Sequence, residues 1–272
     1  MPVVPERRTV SRMHVLRTLA AVAGTVTLAT LVACNPLAER RLEFSGTEKV
    51  KITEILVTPG SGDLTVRTGA VADVEIKRVI RYRTGDPEES NYRIEGSTLI
   101  LDSDCGRRCF IDFDILAPTG VAVRGEIGSG DVALTAVAEV DLTVGAGNVT
   151  VSGASGAVRV KTGAGDIGLS RIPASVTAIT SSGNIDGRDL GGGKVQAETG
   201  AGDVTLALAT PGSVQVNTSS GSVNLAVPAG RYRVLTETDP ESARVDVPDD
   251  PTASAVLEVR ASSGDVIIRQ TG

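Results

Sequence analysis

A five-residue phrase returns along this chain at a nearly constant interval, and that constrains the fold more than any other feature. It reads Gly145-Ala146-Gly147-Asn148-Val149, then Gly163-Ala164-Gly165-Asp166-Ile167 and Ser181-Ser182-Gly183-Asn184-Ile185. Gly200-Ala201-Gly202-Asp203-Val204 and Ser219-Ser220-Gly221-Ser222-Val223 follow. The central glycines are spaced by 18, 18, 19 and 19 residues. Earlier copies are Gly60-Ser61-Gly62-Asp63-Leu64 and Gly128-Ser129-Gly130-Asp131-Val132, and a last one is Ser262-Ser263-Gly264-Asp265-Val266. A short fixed period is the signature of stacked repeats, in which neighbours bury what one repeat cannot.

The flanking residues say what each repeat is made of. Counted from Gly165, apolar residues stand at −7 and −5 (Val158, Val160) and at +2 and +4 (Ile167, Leu169). The same offsets give Val140, Leu142, Val149 and Val151 around Gly147, and Val214, Val216, Val223 and Leu225 around Gly221. Alternation on both sides of the glycine predicts two short strands per repeat, not a helix. Position −3 is often threonine (Thr162, Thr180, Thr199, Thr218), which suits a pleated, half-buried surface. The expected fold is all-β, a parallel β-solenoid of two-strand rungs lying ~4.8 Å apart. The alternative is an antiparallel β-sandwich of hairpins.

The first 33 residues read as a leader. Arg7, Arg8, Arg12 and Arg17 precede a charge-free run, Thr18 to Ala33, which has the length of a signal h-region and is short for a membrane span. Leu31-Val32-Ala33-Cys34 closes it and resembles the bacterial lipobox. That resemblance implies cleavage before Cys34 and a diacylglyceryl thioether on its sulfur. An ordinary secretory signal with a chance cysteine is the other reading. The expected divisions are a signal peptide at 1–33, lipidated cysteine and tether at 34–46, an N-terminal β section or cap at 47–126, and the glycine-Asx solenoid at 127–272. Asn35 to Leu42 would reach only ~25 Å when extended. The expected location is the extracytoplasmic face of the cell membrane.

Four arginines and one glutamate lie in residues 1–33, so 23 of the 27 basic and 32 of the 33 acidic residues remain beyond them, a net charge of −9. Such a balance argues against nucleic acid as a partner. The single histidine, His14, belongs to the leader, so residues 34–272 hold none for a triad or general base.

The section before the regular repeats reads as strands without the glycine phrase. Val74 to Arg83 is a long strand whose alternation slips at Arg78-Val79. Tyr92–Glu95 and Thr98–Leu101 flank a tight turn at Gly96-Ser97, and Phe110–Leu116 is a further strand. The section is expected to cover one end of the stack. Within it, Cys105 and Cys109 are an even pair once Cys34 is assigned to lipid, and outside the cytoplasm a disulfide is the default. Free thiols, half of a zinc set and a redox pair are the alternatives. Past Gly221, acidic, proline-bearing turns interrupt the repeat before Gly264, and the chain is expected to end on a polar terminal rung.

The recurring pairs Gly130-Asp131, Gly147-Asn148, Gly165-Asp166, Gly183-Asn184, Gly202-Asp203, Gly221-Ser222 and Gly264-Asp265 would stack at one corner as a turn ladder. As a calcium ladder, one Asx per rung offers too few of the six to eight oxygens calcium requires. The structural reading has each glycine at positive φ and each Asx side chain bonding turn backbone. No metal, cofactor or catalytic residue is expected. Asp112 and Asp114 have glycosidase-like spacing but read as a solvated strand face.

Val57–Val66, the strand ending in Ala117-Pro118, and the glycine phrases from Gly128 onward together resemble the bacterial DUF4097 family of β-strand repeats. The resemblance covers about residues 47–270 and implies a secreted or envelope-bound β-solenoid without known catalysis. The first function expected is a non-catalytic, adhesin-like surface module whose partner is an envelope protein or glycan. The alternatives are an envelope-stress or signalling accessory with a membrane partner, and a carbohydrate-active enzyme on a β-helix scaffold.

Overall fold

The computed structural model describes residues 39–85, 87 and 90–271; the expected leader, Cys34 and most of the expected tether lie outside them. The irregular first part holds β1 (Arg40–Glu48), β2 (Glu54–Val57), β3 (Leu64–Gly69), β4 (Val74–Tyr82), β5 (Tyr92–Glu95), β6 (Thr98–Leu101), β7 (Cys109–Pro118), β8 (Ala122–Ser129) and β9 (Val132–Thr135). The repeat proper runs through β10 (Val140–Ala146), β11 (Val149–Ser152), β12 (Val158–Ala164), β13 (Ile167–Ile172), β14 (Val176–Ser182) and β15 (Ile185–Leu190). It continues through β16 (Val195–Ala201), β17 (Val204–Leu208), β18 (Val214–Ser220) and β19 (Val223–Pro228). The last part holds β20 (Tyr232–Glu237), a short 3-10 turn (Pro240–Ser242), β21 (Ala243–Asp246), β22 (Ala255–Ala261) and β23 (Val266–Thr271).

Within each rung, one strand joins an eleven-stranded sheet and, past the glycine corner, the next joins a twelve-stranded sheet. Neighbouring rungs pair in parallel and in register. Val140 lies opposite Val158, Val158 opposite Val176, Val176 opposite Val195 and Val195 opposite Val214. The fold is therefore the parallel solenoid and not the antiparallel sandwich. Among the described residues, antiparallel pairing is confined to β1–β4, β4–β7 and β5–β6, all in the first part.

Burial follows the offsets. Val158, Val160, Ile167 and Leu169 are at most 2% exposed, while Arg159 and Lys161 between them face solvent. Such continuous strips of Val, Ile and Leu between two sheets supply the main driving force for the stack. Thr162, Thr180, Thr199 and Thr218 are fully turned inward, deeper than a half-buried surface.

Both ends are built by the same manoeuvre. At the start, β2 and β3 pair inward with β8 and β9, while the later β6 and β7 pair on their outer side. At the finish, β22 and β23 slot against β18 and β19, while the earlier β20 and β21 lie outside them. The final rung in sequence is thus not terminal in space, which corrects the expectation of a polar closing rung. Its Val266 and Ile268 are completely buried because rungs cover them on both sides. The longer steps to Gly130 and to Gly264 are the excursions that make the outer rungs.

Two boundaries also move. Regular structure begins at Arg40 in β1, inside the stretch expected as a tether at 34–46, and β8 runs across the 126/127 division. The slip in alternation at Arg78 is not a slip. Strand β4 alternates without a break, and Arg78 points inward at 2% exposure. Its guanidinium lies 5.0 Å from the Phe44 ring and 4.8 Å from the Tyr92 ring, so a cation held by two aromatic faces occupies an apolar position. The far end is closed by Tyr232, whose hydroxyl donates to the Pro228 carbonyl at 2.9 Å. Beside it, the Arg231 guanidinium and Thr252 hold the Asp250 carboxyl down at about 2.

The register yields a stability test. Lys161 faces solvent between Thr143 and Ile179, clear of a like charge directly across the sheet. Lys161→Asp is expected to stay within about 0.5 kcal/mol of wild type in denaturant melts. Ile167→Asp, which puts a carboxylate among Val149, Ile185 and their neighbours, is expected to lose several kcal/mol, or to remain unfolded. Equal losses would mean that the inward face is wrongly assigned.

Candidate functional site

The glycine corner is the most repetitive chemistry in the molecule. Each consensus glycine has a φ between +114° and +148°. A Cβ on Gly147 would lie 2.0 Å from the Gly130 carbonyl oxygen, and one on Gly165 would lie 2.2 Å from that of Gly147. Two separate facts, left-handed backbone and the closeness of the rung below, therefore exclude any side chain.

The residue after each glycine forms a continuous ladder along the stack. The Asn148 N–H donates to Asp131 Oδ1 at 2.8 Å and the Asp166 N–H to Asn148 Oδ1 at 2.9 Å. The Asn184 N–H donates to Asp166 at 2.7 Å, the Asp203 N–H to Asn184 at 2.9 Å and the Ser222 N–H to Asp203 at 2.7 Å. At the last step the Asp265 N–H reaches the Ser222 hydroxyl oxygen at 3.4 Å. The side chains thus bond the backbone of the following rung rather than their own turn. The inward threonines complete the corner, with Thr180 donating its hydroxyl to the Gly165 carbonyl at 3.1 Å and Thr199 to that of Gly183 at 2.9 Å.

Sequence reasoning missed the member that begins the ladder. Asp112, on β7, accepts the Asp63 N–H at 3.0 Å, and Asp63 accepts the Asp131 N–H at 2.9 Å. No glycine precedes Asp112, so nothing in the local sequence marks it. Asp112 also takes the Arg81 guanidinium at 2.8 Å, which raises the pKa of Arg81 above its ordinary value. Asp114, on the same face, is paired with Arg67 at 2.6 Å. Both carboxylates that had glycosidase-like spacing are therefore engaged by arginines. Among the described residues, no three His, Cys, Asp or Glu side chains converge as a metal site.

From Asp131 onward the ladder alternates charged and neutral: Asp131, Asn148, Asp166, Asn184, Asp203, Ser222, Asp265. Carboxylates are then two rungs apart, ~10 Å, and shielded by an intervening amide or hydroxyl. The three consecutive aspartates at the start, Asp112, Asp63 and Asp131, have Arg81 on the first of them. A cleft of about 320 Å³ opens there, lined by Glu39, Gly62, Asp63, Arg81, Phe110, Ser129 and Gly130. Phe110 is 42% exposed, the most of any large apolar side chain among the described residues. Immediately before it in the chain, a disulfide between Cys105 and Cys109 closes the loop that leads into β7, with the Cα atoms 5.5 Å apart.

A parallel two-sheet solenoid with a glycine-Asx corner and fold-back ends defines an all-β repeat protein. The chain belongs to the Toastrack DUF4097 family, whose model matches residues 21–269. Its structure is similar to that of a "putative adhesin" from Bacteroides fragilis, with a TM-score of 0.50 and 17% identity, covering 84% of this chain and 97% of that one. A "putative cell adhesion protein" from Clostridium sporogenes aligns over 84% of this chain and 99% of its own, at 14% identity and a TM-score of 0.33. No curated protein matches the sequence.

Alternation in the ladder makes a testable electrostatic statement. Asn148→Asp would join the aspartates on either side into five successive carboxylates, Asp112, Asp63, Asp131, the new one and Asp166, and would create two new pairs ~4.8 Å apart. At that distance each new pair costs about 1 kcal/mol in a water-like medium. The variant is expected to melt below wild type at low ionic strength and to recover in high salt or below pH 4. Asp166→Asn, which keeps the acceptor and removes a charge, is expected to melt at or above wild type. A salt-independent loss in Asn148→Asp would refute the electrostatic account.

Proposed function

We propose that this protein is a lipid-anchored, non-catalytic surface module on the extracytoplasmic face of a membrane. The observation that carries the reading is the order of elements at the start of the chain. A basic segment, an apolar segment and Leu31-Val32-Ala33-Cys34 follow in sequence, and the first strand begins six residues after Cys34. The apolar segment and the lipobox suit processing at Cys34, and the short spacing would keep the solenoid against the bilayer.

The non-catalytic part of the reading draws on what residues 34–272 hold. They contain no histidine, and Asp112 and Asp114 are paired with Arg81 and Arg67. Outward side chains such as Asp141, Arg159, Thr177, Gln196 and Gln215 line up along one sheet as a polar row, the kind of extended surface that solenoids use to meet partners. The names of the solved relatives favour adhesion over catalysis, and an envelope protein or glycan is the partner class that fits.

The anchor is tested on the N-terminal tryptic peptide, Cys34 to Arg40, from protein made in a bacterial host. Wild type is expected to give this peptide with a diacylglyceryl adduct on Cys34, and labelled fatty acid incorporation is expected to vanish in Cys34→Ala. An unmodified Cys34 peptide, or label retained in the variant, would overturn the anchor.

A further inference from the structure

Six arginines gather where the chain enters the fold. Arg40 and Arg41 open β1, and in the register of the sheet Arg41 lies beside Arg81 of β4, which lies beside Phe110 of β7. At ~4.8 Å between strands these three side chains fall within ~10 Å on one outer face. The next row pairs Arg40 with Tyr82 and Tyr82 with Cys109, so Arg83 and Arg108 stand at the adjacent strand ends. Arg107 and Arg108 project from the loop that the Cys105–Cys109 disulfide closes; both are exposed and neither has an ion-pair partner among the described residues. Phe110 extends from the same tip.

Among the described residues, the carboxylates at the tip are Glu39, which reaches Arg83 at 3.7 Å, Asp63, which lines the same cleft as Arg81 and Phe110, and Asp102 and Asp104, which lead into the disulfide loop. Glu43 and Asp112 lie two residues further along their strands, ~7 Å from the tip, and pair with Arg41 and Arg81. What sets the tip apart is that Arg107 and Arg108 stand exposed beside the exposed Phe110 ring without an ion-pair partner among the described residues, in a chain whose net charge beyond residue 33 is −9. Exposed ion pairs hold arginine weakly, so these guanidiniums remain available to a phosphate, which they can bind through two parallel hydrogen bonds.

Position decides which phosphate. Glu39 is five residues from Cys34, at most ~18 Å of extended chain. We propose that this corner is a membrane-docking surface: the arginines bind anionic phospholipid headgroups and Phe110 enters the interfacial layer. The inference deepens the anchored reading above, because a lipid on Cys34 would hold this corner, and no other part of the stack, against the bilayer. A diacylglyceryl group on Cys34 would hold the chain at one point, and the corner would add a separate, electrostatic contact that sets how the fold meets the surface.

The test separates the corner from the lipid. A chain beginning at Asn35 lacks the apolar leader and Cys34 but keeps every described strand, since these run from Arg40 to Thr271. It is expected to sediment with vesicles of phosphatidylcholine plus phosphatidylglycerol, but not with phosphatidylcholine alone, and to be released by salt. Each arginine near the surface contributes about fivefold in partitioning, so Arg107→Gln with Arg108→Gln is expected to lose about twenty-fivefold. Both lie in an exposed loop, and unchanged denaturant melts would show that the fold is intact. The chain has no tryptophan, so Phe110→Trp gives a single reporter whose emission is expected to shift blue on the anionic vesicles. A reporter introduced as Ile267→Trp, exposed toward the other end of the stack, is expected not to shift.

Binding that the double variant retains, a shift at both reporters, or no binding to anionic vesicles would each overturn the proposal. Displacement by millimolar inorganic phosphate would also overturn it, marking a small-anion site in place of a lipid surface. If the soluble chain does not bind while Cys34 carries lipid, only the docking inference fails. If it binds while Cys34 is unmodified, the anchor fails and the docking surface stands.

Discussion

The structure depends on how closely one rung can approach the next at the glycine corner. The rungs of a parallel stack must lie a strand spacing apart along their whole perimeter, including where the chain turns. At the corner the incoming Cα faces a carbonyl oxygen of the rung below, and a methyl group there would overlap it, as at Gly221 above Gly202, 2.0 Å away. The backbone amide and carbonyl exposed by that turn still need partners. The Asx side chain below supplies an acceptor, and the inward threonine supplies a donor. Glycine, Asx and threonine therefore recur together because each answers a different demand of a single close contact, and the apolar offsets on either side are the reward for meeting it.

The same stacking creates a problem at each end, since a parallel sheet exposes an edge that would accept another strand. The chain solves it by folding back. At both ends the rung with the glycine phrase is sealed between two others, and an irregular rung takes the outside. At the start, antiparallel β1 and β4 and the buried Arg78 between Phe44 and Tyr92 close the edge. At the finish, the outer rung carries Pro240, Pro248 and Pro251 with Asp239, Glu241, Asp246 and Asp249, and proline and charge both discourage further strand addition.

How much of this was legible depended on whether a feature was local. The period, the two strands per rung, the inward parity and the hairpin at Gly96-Ser97 are all encoded in neighbouring residues, and the structure agrees with them. The fold-back order was not legible. The rung of Gly264 has the same offsets wherever it stacks, so nothing within it says that it lies inside β20 and β21. Asp112 was unreadable as a ladder member because its position comes from the register of β7 on β3 and not from a preceding glycine. Arg78 was misread because a charged residue at an inward position counts as a break in alternation unless its aromatic partners, distant in sequence, are known. A second corner also escaped notice. Ala136, Arg171 and Asp189 adopt φ near +55° at equivalent places after the glycine, and no shared residue type announces it.

The ends also differ in charge, and the difference has a mechanical consequence. From Arg231 to Asp250 the outer rung and its turns hold six carboxylates and three arginines, Arg231, Arg233 and Arg244. Eleven spacings across the twelve-stranded sheet put this acidic end ~50 Å from the arginine corner. An anionic bilayer attracts one end of such a stack and repels the other, each within about a Debye length of its surface. The proposed lipid on Cys34 would fix only a point and leave the solenoid free to lie down or stand. With the charges so divided, lying down would bring the carboxylates of the outer rung against the headgroups, whereas standing removes them to ~50 Å, beyond the reach of the surface field. An upright arrangement would turn the two sheet faces sideways and leave both open along their length. On the proposed anchoring, those faces, and not the ends, would then be the surfaces open to a partner.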